Sequence, residues 1–144
     1  MNALIESVLN IVWNEIKYKA GLKKELGQLP PIECNGQQIV QVVMNLMMNA
    51  GQAIESSGVI TVRTYVKNDS AYIEVEDTGK GIPEEVVGKI YDPFFTTKEV
   101  GKGTGLGLSI SYDIIKKHQG TIQVDSKVGQ GTKFTVTLPV SQSK

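Results

Sequence analysis

Residues 42–54 read VVMNLMMNAGQAI, and the polar side chains in this apolar run are two asparagines and a glutamine. Extended backwards to residue 37, the run predicts one long helix over 37–54. Its polar residues are Gln38, Gln41, Asn45, Asn49 and Gln52, spaced by three, four, four and three, so all five fall on one stripe. Ile39, Val40, Val42, Val43, Met44, Leu46, Met47, Met48, Ala50, Ala53 and Ile54 occupy the rest of the circumference. Such a helix packs on protein over most of its surface and opens one amide-lined strip to something polar. That strip is either a partly solvated surface or the wall of a site. A plain solvated stripe usually carries Lys and Glu. An amide carbonyl oxygen, in contrast, is a suitable hard ligand for Mg2+.

The flanking sequence sets the surroundings of that helix. Leu4, Val8, Ile11, Val12 and Ile16 recur at helical spacing over 3–18, and Gly21 is expected to end that lead-in helix. LKKELGQLPPIEC predicts two short strands about a turn at 27–31. VITVRTYVK and SAYIEVED alternate apolar with polar residues on either side of NDS, a hairpin pattern. Residues 78–104 carry little periodicity beyond a helical turn at 84–90. LGLSISYDIIKKHQG predicts a third helix capped by Gly120, and TIQVDSKVGQGTKFTVTLPV a second hairpin turning at 127–131. Pro139 ends it, and 141–144 form a tail. Paired strands with three sizeable helices predict an α+β two-layer α/β sandwich, the helices on one face of a mixed, mainly antiparallel sheet.

At 144 residues the chain has the size of one domain, and 40% hydrophobic residues supply a core. Fifteen Lys and Arg balance fifteen Asp and Glu. This argues against a nucleic-acid binder, which needs a basic field. The single cysteine, Cys34, permits no internal disulfide and reads as a small buried hydrophobe in a reducing compartment. No apolar run approaches the roughly 20 residues that span a membrane. No basic segment followed by an apolar one marks a leader peptide.

Two more stretches carry chemistry. In EVEDTGKGIP, 74–83, strand alternation puts Asp77 on the same face as Ile73 and Val75, the core side. A carboxylate there is costly without a partner. It is either an ordinary turn aspartate or a pocket acceptor for an exocyclic amine such as that of adenine. Gly79 and Gly81 let the backbone turn sharply and leave room for a flat ring. In DPFFTTKEVGKGTGLGLSI, 92–110, Gly101, Gly103, Gly105 and Gly107 precede a helix. Glycine amides at a helix N-terminus make a phosphate cradle, and Lys98 and Lys102 add positive charge. The run fits neither a Walker loop nor a dinucleotide fingerprint, because Leu106 and Leu108 stand where the last glycine of the latter falls. One His and one Cys leave a zinc site without ligands, and Ser109 and Ser111 lack a histidine partner for a hydrolytic triad. His118 near a helix C-terminus reads as structural.

Taken in order, NLMMNAGQAI, DTGKGI, DPFFTTK and GKGTGLGLS resemble the N, G1, F and G2 boxes of the catalytic, ATP-binding domain of bacterial sensor histidine kinases. That domain has the Bergerat ATP-binding fold shared with gyrase B, Hsp90 and MutL. The resemblance runs from about residue 2 to 140, and the DPFFTTK form is most similar to the nitrogen-regulation type. It implies that Asn49 coordinates Mg2+ on the ATP phosphates and that Asn45 contacts the phosphate or the metal shell. Asp77 is implied as the acceptor for the adenine amine, with a water held near Thr132. Gly79, Gly81 and Ile82 are implied to frame the base. Lys98 and the glycines of 101–107 are implied as a lid, with Gly103, Thr104, Gly105, Leu106, Gly107 and Leu108 around the phosphates. Asn45 and Lys98 are implied to be the groups closest to the transfer itself.

The chain departs from wider relatives of that fold at two points. Nothing in it resembles the His-Glu/Asp helix that accepts phosphate, so the acceptor is expected on a separate dimerisation domain of the parent kinase. Relatives that hydrolyse ATP place a glutamate one turn before the metal-binding Asn, where this chain has Asn45, and an amide is no general base. The expected function is therefore transfer of the γ-phosphoryl group of Mg-ATP to that histidine, within a two-component system whose response regulator is reached indirectly. Expected rivals are a hydrolysing clamp, a stand-alone serine kinase of the anti-sigma type, and a nucleotide-sensing module. The isolated domain is expected to be a cytoplasmic monomer that contacts neither membrane nor nucleic acid, whether its parent is membrane-bound or soluble.

Overall fold

The computed structural model describes residues 2–16, 21–27, 36–54, 58–79, 81 and 107–140. Helix α2, Gly36–Ala53, is its centre. Ile39, Val42, Val43, Leu46, Met47 and Ala50 are buried along it, a stripe at the helical period. Helix α1, Asn2–Ile16, and helix α3, Gly107–Lys117, flank it. α1 contributes Ile5, Val8 and Leu9 to the shared core, and α3 contributes Ile114 and Ile115.

Among the described residues the sheet beneath has five strands: β1 Gly21–Leu26, β2 Val59–Lys67, β3 Ser70–Asp77, β4 Thr121–Lys127 and β5 Gly131–Pro139. Their spatial order is β1-β2-β3-β5-β4. β1 runs parallel to β2, and every other pair is antiparallel. The alternation seen in the sequence places Ile60 and Val62 of β2, Ile73 and Val75 of β3, and Phe134, Val136 and Leu138 of β5 under the helices. Asn68 and Asp69 close the β2–β3 hairpin at φ 53° and 60°, the pair of positive angles that a two-residue type I′ turn requires. The expected α+β sandwich is thus the observed fold, with the three described helices over one face of a mixed sheet.

The other face is polar and internally compensated. Arg63 on β2 meets Glu25 at 2.8 Å, Glu76 at 2.7 Å and Glu74 at 3.4 Å. Tyr65 stacks on Tyr72 with ring centroids 4.8 Å apart and donates its hydroxyl to Glu74. That bond, with burial, pushes the Tyr65 pKa up to about 12. Charges that satisfy one another across strands suit a sheet face turned to water.

Two expectations change. Gly21 does not end α1; it opens β1, bonded through its N–H to Gly58 O at 2.9 Å. β1 pairs in parallel with β2 across the whole of α2, a crossover that local turn residues do not encode, and the turn expected at 27–31 lies outside the described residues beyond Gly27. The second strand expected there, with Cys34, lies outside the described residues, as do the helical turn at 84–90 and the tail at 141–144.

The second change concerns the end of α3. The left-handed residue is Gln119, at φ 62°, not Gly120. Gln119 N–H bonds Lys116 O at 3.0 Å and Gly120 N–H bonds Ile115 O at 2.9 Å, the two bonds of a Schellman motif. Gly120 is needed for space instead, since a Cβ there would lie 2.2 Å from Thr137 O. Gln119→Gly is therefore expected to stabilise the domain by about 0.5–1 kcal/mol, relieving a left-handed side chain against some entropy cost. Gly120→Ala is expected to destabilise it by about 1–3 kcal/mol. Urea melts of the two variants check both signs, and equal effects would contradict the assignment.

Candidate nucleotide site

β3 delivers Asp77 to the helical face of the sheet at its last position, where the carboxylate is 5% exposed. Asp77 Oδ1 accepts the Gly79 N–H at 2.8 Å, and the Thr132 N–H also supports the carboxylate. Burial raises the Asp77 pKa above its ordinary value. The two backbone donors oppose that rise, and the neighbouring Glu76 adds to it. The result is a buried acceptor held in a fixed orientation.

The surrounding loops are locked around it. Asp77 sits opposite Thr132 in the β3–β5 ladder. Thr132 is buried, and its hydroxyl meets Ser126 Oγ at 2.8 Å while Ser126 donates to Gly131 O at 3.1 Å. Gly131 has φ 123°, and a Cβ there would fall 2.0 Å from Asp77 O. Gly81, at φ 78°, presses on the β4–β5 turn, where a Cβ would fall 2.2 Å from Lys127 O. Thr78 clips the loop to the start of β2: its N–H bonds Val59 O at 3.1 Å and its Oγ1 accepts the Val59 N–H at 2.9 Å. Glycines at 81 and 131 let three backbone segments converge beside one carboxylate.

The amide stripe of α2 is only partly solvated. Gln41 is exposed, whereas Gln38, Asn45 and Asn49 are half-buried, and the side chain of Gln52 lies outside the described residues. Asn45 Nδ2 donates to Ser111 Oγ of α3 at 3.3 Å. The stripe therefore borders α3 rather than facing bulk water along its length. Among the described residues no three His, Cys, Asp or Glu side chains gather into a metal cluster. Neutral amide oxygens, hard but uncharged, still fit Mg2+ whose charge is already met by phosphates.

Asp77, Gly79, Gly81 and Thr132 thus come together at one end of the sheet. Asn45 and Asn49 lie on the helix that packs over β3. Gly107 opens α3, and Leu108 follows it in the first turn with its side chain undescribed. Ile82, Lys98, Gly101, Gly103, Thr104, Gly105 and Leu106 lie outside the described residues. His118 is buried, with Nδ1 2.8 Å from Ile114 O. Sequence reading missed Thr78, Ser126 and Ser111 as contributors. Ser111 left a visible signal, because with Ile114, Ile115 and His118 it falls on the buried stripe of α3, where a hydroxyl needs a partner.

The family described as histidine kinase-, DNA gyrase B-, and HSP90-like ATPase matches residues 34–142. The signal transduction histidine-protein kinase AtoS of Escherichia coli (strain K12) is 42% identical over 144 residues, covering 98% of this chain and 23% of AtoS. The sensor kinase CckA of Brucella abortus (strain 2308) is 48% identical over 124 residues, covering 76% of this chain and 13% of CckA. Among solved structures, the catalytic domain of histidine kinase ThkA superposes with a TM-score of 0.87 at 33% identity, covering 99% of this chain and 93% of that one. ThkA in complex with the response regulator TrrA gives 0.83 at 31% identity, covering all of this chain and 41% of that one. The chain spans less than a quarter of the length of these two curated relatives. No helix among the described residues is long and apolar enough to cross a membrane.

Proposed function

Because this chain belongs to the histidine kinase-, DNA gyrase B-, and HSP90-like ATPase family, we propose that it is the ATP-binding catalytic domain of a sensor histidine kinase. It binds Mg-ATP and passes the γ-phosphoryl group to a histidine on a separate dimerisation domain. The observation that carries this reading is the buried Asp77 carboxylate, fixed by backbone N–H groups where three loops converge.

Asp77 accepts from the adenine amine, and Thr132 holds the water beside it. Gly79, Gly81 and Ile82 frame the base. Asn49 would hold Mg2+, with Asn45 one turn earlier contacting the phosphate or the metal shell, and the ion when bound would supply charge neutralisation. Lys98 and residues 101–107 close over the phosphates as a lid, and 106–108 donate backbone N–H groups at the start of α3. The incoming imidazole nitrogen forms a bond to the γ-phosphorus as the bond to the ADP oxygen breaks. The protein contributes position and charge. Asn45 offers water no general base, so hydrolysis is slow. The product phosphohistidine then serves a response regulator, and the domain acts in the cytoplasm as a monomer outside its parent.

The test is the metal dependence of nucleotide binding. Asn49→Ala is expected to remove most of the affinity gain that Mg2+ gives ATP and to spare Mg-free binding, which rests on Asp77. Calorimetry with a non-hydrolysable ATP analogue, with and without Mg2+, measures both. An equal Mg2+ effect in variant and parent places the metal ligand elsewhere, and no binding by the parent overturns the reading.

A further inference from the structure

Ile60 and Asp77 form the last rung of the β2–β3 ladder, so the next rung brings Val59 opposite Thr78. In an antiparallel rung of this kind the two residues exchange both main-chain bonds. Half of that exchange is present: the Thr78 N–H donates to Val59 O at 3.1 Å. In the other half the Val59 N–H donates to Thr78 Oγ1 at 2.9 Å, so the side chain stands where the main-chain carbonyl of a continued strand would be. A main-chain N–H only donates, so the hydroxyl oxygen is the acceptor wherever its own proton turns. Gly58 leaves room for it, since a Cβ there would lie 2.7 Å from Thr78 Oγ1. The Thr78 carbonyl and the Gly79 N–H belong to one planar peptide and point in opposite directions. Turning that carbonyl out of the ladder therefore turns the Gly79 N–H as well, and it donates to Asp77 Oδ1 at 2.8 Å in an Asx turn. We infer that Thr78 is a positioning residue for the nucleotide: its hydroxyl oxygen takes over the last rung, aims the Gly79 N–H at Asp77, and so sets the carboxylate that receives the base. This rests on the functional reading above and deepens it, adding a residue that acts on the ligand through Asp77.

In Thr78→Val the Val59 N–H is left with the main-chain carbonyl of residue 78 as its acceptor. The ladder gains that rung, the 78–79 peptide turns back, and the Gly79 N–H leaves Asp77. Affinity for ADP and for a non-hydrolysable ATP analogue is expected to fall about tenfold, the worth of one hydrogen bond to a charged group. Thr78→Ser keeps the oxygen and is expected to bind within about twofold of the parent. Calorimetry at neutral pH reads both. Spectra of 15N–1H pairs across pH read the contact itself in the ligand-free protein. In the parent and in Thr78→Ser the Gly79 amide proton shift is expected to follow the ionisation of the Asp77 carboxylate, recorded by its own carboxyl carbon. In Thr78→Val that dependence is expected to vanish. Glu76, the charged neighbour of Asp77, bonds Arg63 on the other face of the sheet and is followed by its own carbon. Three results overturn the inference: undiminished affinity in Thr78→Val, an equal fall in Thr78→Ser, or a Gly79 shift that still follows Asp77 in Thr78→Val. A parent protein that binds neither nucleotide overturns the functional reading instead, and the Gly79 shift still decides whether Thr78 sets the Asp77 contact.

Discussion

Asp77→Asn is expected to lower affinity for ATP and ADP alike by about 10- to 100-fold, while the ligand-free domain melts no lower than the parent. The first effect follows from the loss of a charged acceptor, worth about 1.5–3 kcal/mol. On the proposed reading the contact lies at the base end, so ADP suffers with ATP. The second follows from burial. The carboxylate is 5% exposed, and burial outweighs its two backbone donors, so its pKa stands above the ordinary value. The native state then keeps a proton that the unfolded chain releases. Stability falls as pH rises from the ordinary carboxylate range through the raised native value, and the full cost of the charge is present above it. Asparagine carries no such cost and keeps an oxygen for the Gly79 N–H. The difference in melting temperature between variant and parent should open, in the variant's favour, as pH climbs through that window. It should close as pH falls below it. Calorimetric titration at neutral pH and thermal melts across pH measure the two halves. Undiminished affinity in a folded variant contradicts the adenine role, and a variant that melts lower at neutral pH contradicts the burial account.

The same carboxylate shows how much was legible beforehand. Two-residue alternation along SAYIEVED is enough to put Asp77 on the core face, because a strand has no other way to arrange it. The amide stripe of α2 was legible for the same reason, with a period of 3.6 in place of 2. What periodicity lacks is partners. The spacing of Asn45 could not reveal that its amide meets Ser111, 66 residues later, because that contact depends on how α3 lies against α2. β1 illustrates the same limit. LKKEL reads as a strand, yet whether it turns back locally or crosses over α2 to pair with β2 is decided by tertiary packing. Gln119 illustrates another. A glycine one residue further on is the obvious cap, but the space beside Thr137 O claims it and leaves the left-handed turn to a glutamine. The glycine run and Lys98 were singled out by their place before a helix and their charge, and their role as a lid rests on the resemblance.

Incubated with γ-labelled ATP and Mg2+, this chain alone is expected to acquire no measurable label, and to label a histidine-bearing dimerisation domain of its parent kinase added in trans at least about 100-fold faster. The chain has one histidine, His118. It is 8% exposed at the end of α3, and its Nδ1 lies 2.8 Å from Ile114 O. To receive a phosphoryl group the ring would have to leave the core and give up that bond, next to a Schellman turn that fixes the backbone on its C-terminal side. Water is no better acceptor. The residue one turn before Asn49 is Asn45, and an amide takes no proton from an attacking water at neutral pH. On the proposed reading, the γ-phosphoryl group meets no competent nucleophile among the described residues until one arrives on another domain. Label stable to base but lost in acid, appearing only on the added domain, is the expected pattern for a phosphorylated imidazole. Acid-stable label on this chain would point to a serine kinase, and rapid release of free phosphate without any acceptor would point to a hydrolysing clamp. Either outcome would move the chemistry away from a partner's histidine, to a hydroxyl of this chain in the first case and to water in the second.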